Sequence, residues 1–295
     1  VKRLHQVAGE LGAEPRFDGE AGDGFPLIGE VLHGDYNLIV NDEMLDSCTN
    51  YECYKGLYSS FNSMNMFEIA HSLHRQFGGD PWCIYRGKHL VSFADNHDVT
   101  RLASILTCKE HLRGAYGVLF GMPGIPCLYY GSEWGQLGQK GTGYLADVEI
   151  RPQLDAPAAD ALEHLADGWE GGGAPNQLTG YISELNHVRR ASRALCHGSY
   201  RNVVITNKQL LFERDAPASA GRDAECVFVA VNAEDVPFTL NDGTLNGRFE
   251  VLLASAPCAD DPNAAPDYPQ TGDLLELEGS LTLLPYGVLY LRRAM

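Results

Sequence analysis

The spacing of apolar positions changes character part-way along this 295-residue chain. In Val1–Glu14, Leu4, Val7, Ala8 and Leu11 fall at the i, i+3, i+4, i+7 spacing of a helix. The chain reads as entering that helix in mid-flow. Gly and Pro then break the period, and FPLIGE (Phe25–Glu30) is a short apolar run of the buried-strand type. A weaker strand is predicted near Cys48–Tyr54. Across Phe61–Phe77, Met66, Ile69, Ala70, Leu73 and Phe77 share one helical face, with Gly78-Gly79 as the stop. LVSFA (Leu90–Ala94) predicts a second buried strand. Leu112, Ala115, Tyr116, Leu119 and Phe120 mark a helix, and IPCLYY (Ile125–Tyr130) a third clear strand. Tyr181, Ile182, Leu185 and Val188 are in phase on one long helix, Leu178–Leu195.

Strands that alternate with helices and are apolar on both faces predict a helix-covered parallel sheet over residues 1–198. About four such units are legible, against the eight of a complete (β/α)8 barrel of ~250 residues. Residues 132–177 form a long loop rich in Gly and acidic residues, holding Trp134 and Trp169. Loops of that length usually carry function. From about Tyr200 the period shortens. VVIT, QLLFER, CVFVAVN, FTL, FEVLLAS, LLELEG, LTLLP and GVLYLRR are short strand-like runs between Asp-Gly, Asn-Gly or Pro-bearing turns. They predict an all-β sandwich over 199–295, with the boundary near His197–Arg201 and one polar loop at Ala256–Pro269.

Composition narrows the partners. With 22 Lys+Arg against 39 Asp+Glu the formal charge is −17, and no cluster of Lys or Arg stands out along the chain. A nucleic-acid or acidic-membrane partner is therefore disfavoured, and a neutral ligand such as a sugar is not. No uncharged apolar run reaches the length of a membrane-spanning helix, and no signal-peptide pattern opens the chain. The eight cysteines contain no C-x-x-C, and there is no N-x-S/T sequon. Cys127 and Cys226, inside apolar runs, are expected to be buried thiols. A cytoplasmic location is the expectation.

Ligands of a parallel α/β sheet sit at the carboxyl ends of its strands. Glu30 follows FPLIG, with His33 and Asp35 close behind. Asp95, Asn96, His97, Asp98 and Arg101 follow LVSFA, and Gly131 and Glu133 follow IPCLYY. Three strands thus deliver carboxylates to one end. Paired carboxylates in such a cleft are the apparatus of glycoside hydrolysis. Burial beside apolar residues would suit Glu30 to the acid role; the alternative is an ion-paired strand-end Glu. His97 next to Asp98 fits either sugar-hydroxyl binding or a packing pair. H-E-x-x-H, Walker A, G-x-S-x-G and G-x-G-x-x-G motifs are absent. His71 and His74 share a helix face with no third ligand evident, and are expected to be surface histidines.

These segments resemble a known family. VSFADNHDVTR is similar to the seventh-strand signature of the α-amylase family (glycoside hydrolase family 13), with Asn96, His97 and Asp98 on its N-H-D core. PLIGEVLHGDYN resembles the fifth-strand segment, whose Glu is the general acid/base. MPGIPCLYYGSE resembles the eighth, with Gly124, Pro126, Tyr130, Gly131 and Glu133 in place. YECYKGLYSSFNSMNMFEIAHSL is in the style of cyclomaltodextrinases, neopullulanases and maltodextrin glucosidases.

The resemblance implies the C-terminal half of a (β/α)8 barrel, about its fifth to eighth strands, followed by an all-β sandwich. It implies retaining hydrolysis, or transglycosylation, of α-1,4-glucans. Glu30 is then the general acid/base and Asp98 the transition-state stabiliser. His97, Asn96, His33 and Arg101 bind substrate, Arg101 also orienting an acid of the cluster, and Glu133 and Tyr130 support the site. The family's nucleophile, an Asp in a G-x-R-x-D segment on the fourth strand, is absent. The chain is expected to begin just after that strand and to be inactive alone. A non-catalytic sugar-binding or assembly protein is the rival reading. No cofactor and no metal site is implied, although some relatives bind calcium. The expected partners are a neutral oligosaccharide and either a second copy or the missing half-barrel.

Overall fold

A computed structural model describes residues 1–10, 26–153, 175–219, 221–257 and 268–294. Helix α1 is Lys2–Glu10. The predicted continuation of α1 to Glu14, Phe25, Trp169, and residues 154–174 and 258–267 of the two long loops lie outside the described residues.

Four short strands then follow one another in parallel. β1 (Ile28–Gly29) pairs with β2 (Ser47–Cys48), and β3 (Val91–Phe93) with β4 (Ile125–Cys127). A parallel bridge from Thr49 to Val91 joins the two pairs. Parallel neighbours need crossover connections. These are supplied by α2 (Tyr51–Asn62) and α3 (Phe67–Phe77) between β2 and β3, and by α4 (Leu102–Ile105) and α5 (His111–Gly121) between β3 and β4. The carboxyl ends of β1, β3 and β4 therefore face one way.

Several expectations are corrected. The weak strand near Cys48–Tyr54 ends at Cys48, because Asn50 accepts a hydrogen bond from Cys53 N and caps α2 in its place. The helix predicted over Phe61–Phe77 begins only at Phe67, after a turn in which Met64 takes a positive φ of 47°. The long helix over Leu178–Leu195 is two, α6 (Gln177–Ala191) and α7 (Arg193–His197), because Ser192 leaves helical geometry and caps α7 through Leu195 N. The short strands are not buried on both faces: Ile28 is 51% exposed, and Cys127 is exposed rather than buried. Cys226 is only partly buried. β1 and β4 are edge strands among the described residues, so an apolar run there does not imply enclosure.

After α7 the chain builds one antiparallel sheet of β5 (Ser199–Ile205), β6 (Gln209–Ala216), β7 (Glu225–Asn232), β8 (Phe238–Ser255), β9 (Leu274–Leu283) and β10 (Val288–Arg293). Its order is β5-β6-β7-β10-β8-β9. The eight predicted runs make six strands, because FTL and FEVLLAS continue as β8, and LLELEG and LTLLP as β9. Asp242-Gly243 sits in an irregularity between Asn241 and Asn246, and Asn246-Gly247 pairs with Glu278 and Leu277 of β9, so neither forms a hairpin turn. In its central strands β6, β7 and β10 both faces of the sheet are largely buried. Val227, Val229, Val231, Val288 and Tyr290 join the core under the helices, while Phe228, Ala230, Leu289 and Leu291 pack beneath the long β8–β9 ribbon. That two-sided burial explains the unbroken apolar run of β7.

Helix α5 packs tightly against α2 and this sheet. A Cβ on Gly114 would lie 2.6 Å from Phe61 Cε1, on Gly117 2.9 Å from Val288 Cγ1, and on Gly121 2.9 Å from Phe212 Cζ. Two buried arginines close its C-terminal end. Arg189 donates to the carbonyls of Phe120 (2.6 Å), Met122 (3.0 Å) and Gly124 (2.5 Å), and Arg214 to that of Gly121 (2.7 Å). Unsatisfied helix carbonyls carry partial negative charge, which these cations match. No helix among the described residues is long and apolar enough to cross a membrane. Gly114→Ala is expected to destabilise the chain by about 1–3 kcal/mol through overpacking. Urea denaturation checks this, since helix propensity alone predicts a gain of about 1 kcal/mol.

Candidate active site at the carboxyl ends of the parallel strands

The turn leaving β3 carries Asp95 to Arg101 and is pinned at both ends. Asp95 is buried; its Oδ2 accepts from Leu102 N and its Oδ1 from the Ser132 hydroxyl, each at 2.7 Å. Arg101 is fully buried. Its Nη1 donates to Tyr130 O (2.6 Å) and Ser132 Oγ (3.2 Å), its Nε to Ile150 O (3.0 Å), and its guanidinium lies 4.0 Å from the Tyr129 ring centroid. Burial lifts the Asp95 carboxyl above its ordinary range, against the pull of the Leu102 and Ser132 hydrogen bonds and the Arg101 charge. Ser132 thus ties the β3 and β4 ends together.

Between those anchors the polar side chains converge. Asn96 Oδ1 accepts from Asp98 N at 2.8 Å, an Asx turn that sets the Asp98 direction. Asn96 Nδ2 donates to Tyr51 Oη at 2.8 Å, and Tyr51 donates to Glu30 Oε1 at 3.2 Å. Burial raises the Tyr51 phenol's pKa, which keeps it a donor. His97 Nε2 lies 3.8 Å from Glu30 Oε1 and 3.4 Å from Asp98 Oδ2. Arg151 closes the other side: its Nη2 meets Asp98 Oδ1 at 2.6 Å and Asp147 Oδ2 at 2.9 Å, and its Nε donates to His97 O at 2.7 Å. Lys140 Nζ donates to Asp98 O at 2.6 Å.

Glu30, Asn96, His97 and Asp98 are therefore brought together. Glu30 itself is exposed, not buried beside apolar residues as expected, because it leaves an edge strand. His33 sits exposed on the following turn, outside this cluster. Arg101, expected both among the substrate contacts and as the orienter of an acid, has no exposed surface and donates to two carbonyls and a hydroxyl, so in this structure it holds the turn rather than facing the cleft. Tyr130 is exposed, its hydroxyl donating to Pro152 O at 2.7 Å, and Glu133 is partly buried in the turn after Gly131. Tyr51, Lys140 and Arg151 were missed. Tyr51 opens α2, where the apolar pattern predicts a weak strand, and Arg151 lies in the long loop, where no period marks it.

Among the described residues, two groups have donor sets that fit a cation: Glu30, His97 and Asp98, and, just past the end of α3, His74, Asp80 and Cys83. In the first, Arg151 already occupies Asp98 Oδ1. In the second, His74 Nε2 is bonded to Asp80 Oδ2 at 2.8 Å.

No family model matches the chain. Alpha-amylase 3 of Dictyoglomus thermophilum is 25% identical over 217 residues, covering 63% of this chain and 39% of that protein. A 4-alpha-glucanotransferase of Thermotoga maritima is 39% identical over 62 residues, covering 20% and 13%. The α-amylase of Geobacillus thermoleovorans, solved in complex with acarbose, superposes with a TM-score of 0.66 at 17% identity, over 100% of this chain and 57% of that one. The chain is similar in sequence to an α-amylase and in fold to α-amylases. It spans well under half the length of these curated relatives, and the fold agreement takes in its parallel strands and its antiparallel sheet alike. A double-mutant cycle of Tyr51→Phe and Asn96→Ala is expected to show a coupling of at least ~0.5 kcal/mol in unfolding free energy; strictly additive effects would remove Tyr51 from the cluster.

Proposed function

We propose that this chain carries the acid/base side of a retaining glycoside hydrolase acting on α-glucans. One observation bears most of the weight: Glu30, His97 and Asp98, drawn from two different strand ends, place donor atoms within 4.8 Å of one another. The kinship with an α-amylase and a glucanotransferase supplies the substrate class. In this reading Glu30 donates its proton to the leaving glycosidic oxygen and afterwards takes one from the incoming water. Its Tyr51 hydrogen bond holds the carboxyl in place. Asp98, fixed by Arg151 and the Asn96 turn, accepts ring hydroxyls of the distorted sugar and favours the cationic transition state, with His97 beside it.

The covalent step needs a second carboxylate ~5–5.5 Å from the acid across the bond. The residues present offer no G-x-R-x-D segment to supply it. In this reading the nucleophile comes from a segment outside these 295 residues. Transfer to a sugar acceptor in place of water uses the same groups, and the local match to a glucanotransferase favours keeping it as the second reading.

Calorimetric titration with maltotriose tests the assignment. The chain is expected to bind it, and Asp98→Asn to weaken binding tenfold or more, since a hydrogen bond to a charged group contributes about 1.5–3 kcal/mol. Unchanged affinity in that variant, or no binding at all, would contradict a sugar site. Incubation with maltotriose is expected to release no shorter sugar; hydrolysis that Glu30→Gln abolishes would show that the nucleophile lies within the chain.

A further inference from the structure

At the amino ends of β3 and β4, away from the acidic cluster, the chain gathers positive charge. A cavity of about 580 Å³ opens between α6, α7 and the antiparallel sheet, lined by Arg190, Arg193, Arg222 and Arg292, with Asp223 and Glu225 as its acids. A second cavity of about 230 Å³ adjoins it, lined by Arg86, Lys88 and Arg214. Cys196 and His197 line both, so the two form one recess.

The pairing of these cations is incomplete. Arg292 meets Glu250 at 2.5 Å and Glu225 at 3.8 Å. Arg193 donates to the carbonyls of Ala216, Pro217 and Asp223, and Arg214 to those of Ser199, Gly121 and Gly198. Arg86 and Lys88 also end on carbonyls. Arg190 and Arg222 are exposed and form no side-chain hydrogen bond or ion pair among the described residues. In a chain of formal charge −17, Arg190 and Arg222 thus keep their guanidinium charge in water, open to an anion. Burial, and after it the charges of Arg189, Arg214, Arg222 and Arg193, push the His197 imidazole toward its neutral form.

We propose that this recess binds a phosphate-bearing small molecule, a sugar phosphate or free phosphate, with Arg190 and Arg222 as its open contacts. Guanidinium matches phosphate in charge and in its paired donor geometry, whereas a neutral glucan would leave the field unmatched. The larger cavity lies within the 300–1,000 Å³ usual for small ligands, which leaves room for a sugar behind the phosphate.

Titration of the full chain with glucose 6-phosphate, inorganic phosphate and glucose, in buffer of matched ionic strength, tests this. Both phosphates are expected to bind at least tenfold more tightly than glucose. Tighter binding of the sugar phosphate identifies it as the ligand, and equal affinity assigns recognition to phosphate alone. Arg190→Ala and Arg222→Ala remove side chains that have no partner among the described residues, so both are expected to fold as the parent by circular dichroism. Each is expected to weaken phosphate binding about tenfold while leaving maltotriose affinity unchanged. Phosphate that gives no more heat than sodium chloride, or that binds both variants as well as the parent, overturns the proposal.

Discussion

Ser132 is the small buried group through which the candidate site holds its shape. Its hydroxyl donates to Asp95 and accepts from Arg101, so the two ends of the β3 turn and the start of the β4 loop meet at one oxygen. Asp95 and Arg101 are both removed from water, where a lone charge is costly. Each therefore depends on hydrogen bonds that only this arrangement supplies. The residues between them, Asn96, His97 and Asp98, have their backbone course set from both sides. Contacts from Tyr51, Lys140 and Arg151 then complete their arrangement toward Glu30.

A second buried arrangement sets the platform on which this turn rests. The glycines of α5 let the helix lie against β6, β7 and β10, and Arg189 and Arg214 satisfy the carbonyls at its end. The hydrophobic core accordingly runs without interruption from Leu57 and Leu119 in the helices to Val229 and Tyr290 in the sheet. The antiparallel sheet is not an appendage but one wall of the helix layer that carries the parallel strands. The same arginines leave a positive recess on the far side, so the acidic cluster and the cationic recess occupy opposite ends of the parallel strands.

Much of this was legible in the residues. LVSFA and IPCLYY mark β3 and β4, and the acids that follow them do lie at one end. The period change near Tyr200 corresponds to the start of β5. Three features were hidden for physical reasons. The β2 run is two residues long, too short for a period, and a capping Asn50 turns the following residues into helix. Arg101 looked like a ligand contact because it follows a polar strand end; only three-dimensional packing shows its guanidinium sealed under Tyr129. Arg151 is distant in sequence and sits in a loop without pattern, so its pairing with Asp98 comes from tertiary structure alone. The cationic recess was invisible for the same reason, since its arginines come from α6, α7, the β6–β7 connection and β10.

The central claim is that a buried lock, rather than the exposed side chains themselves, gives the acidic cluster its geometry. Ser132→Ala tests it most directly, because it deletes one hydroxyl that no ligand can reach. With the variant confirmed as folded by its unfolding curve, the lock predicts a loss of about 1–3 kcal/mol in stability, and calorimetry should show maltotriose affinity falling about tenfold. Maltotriose binding as tight as that of the parent chain would contradict it.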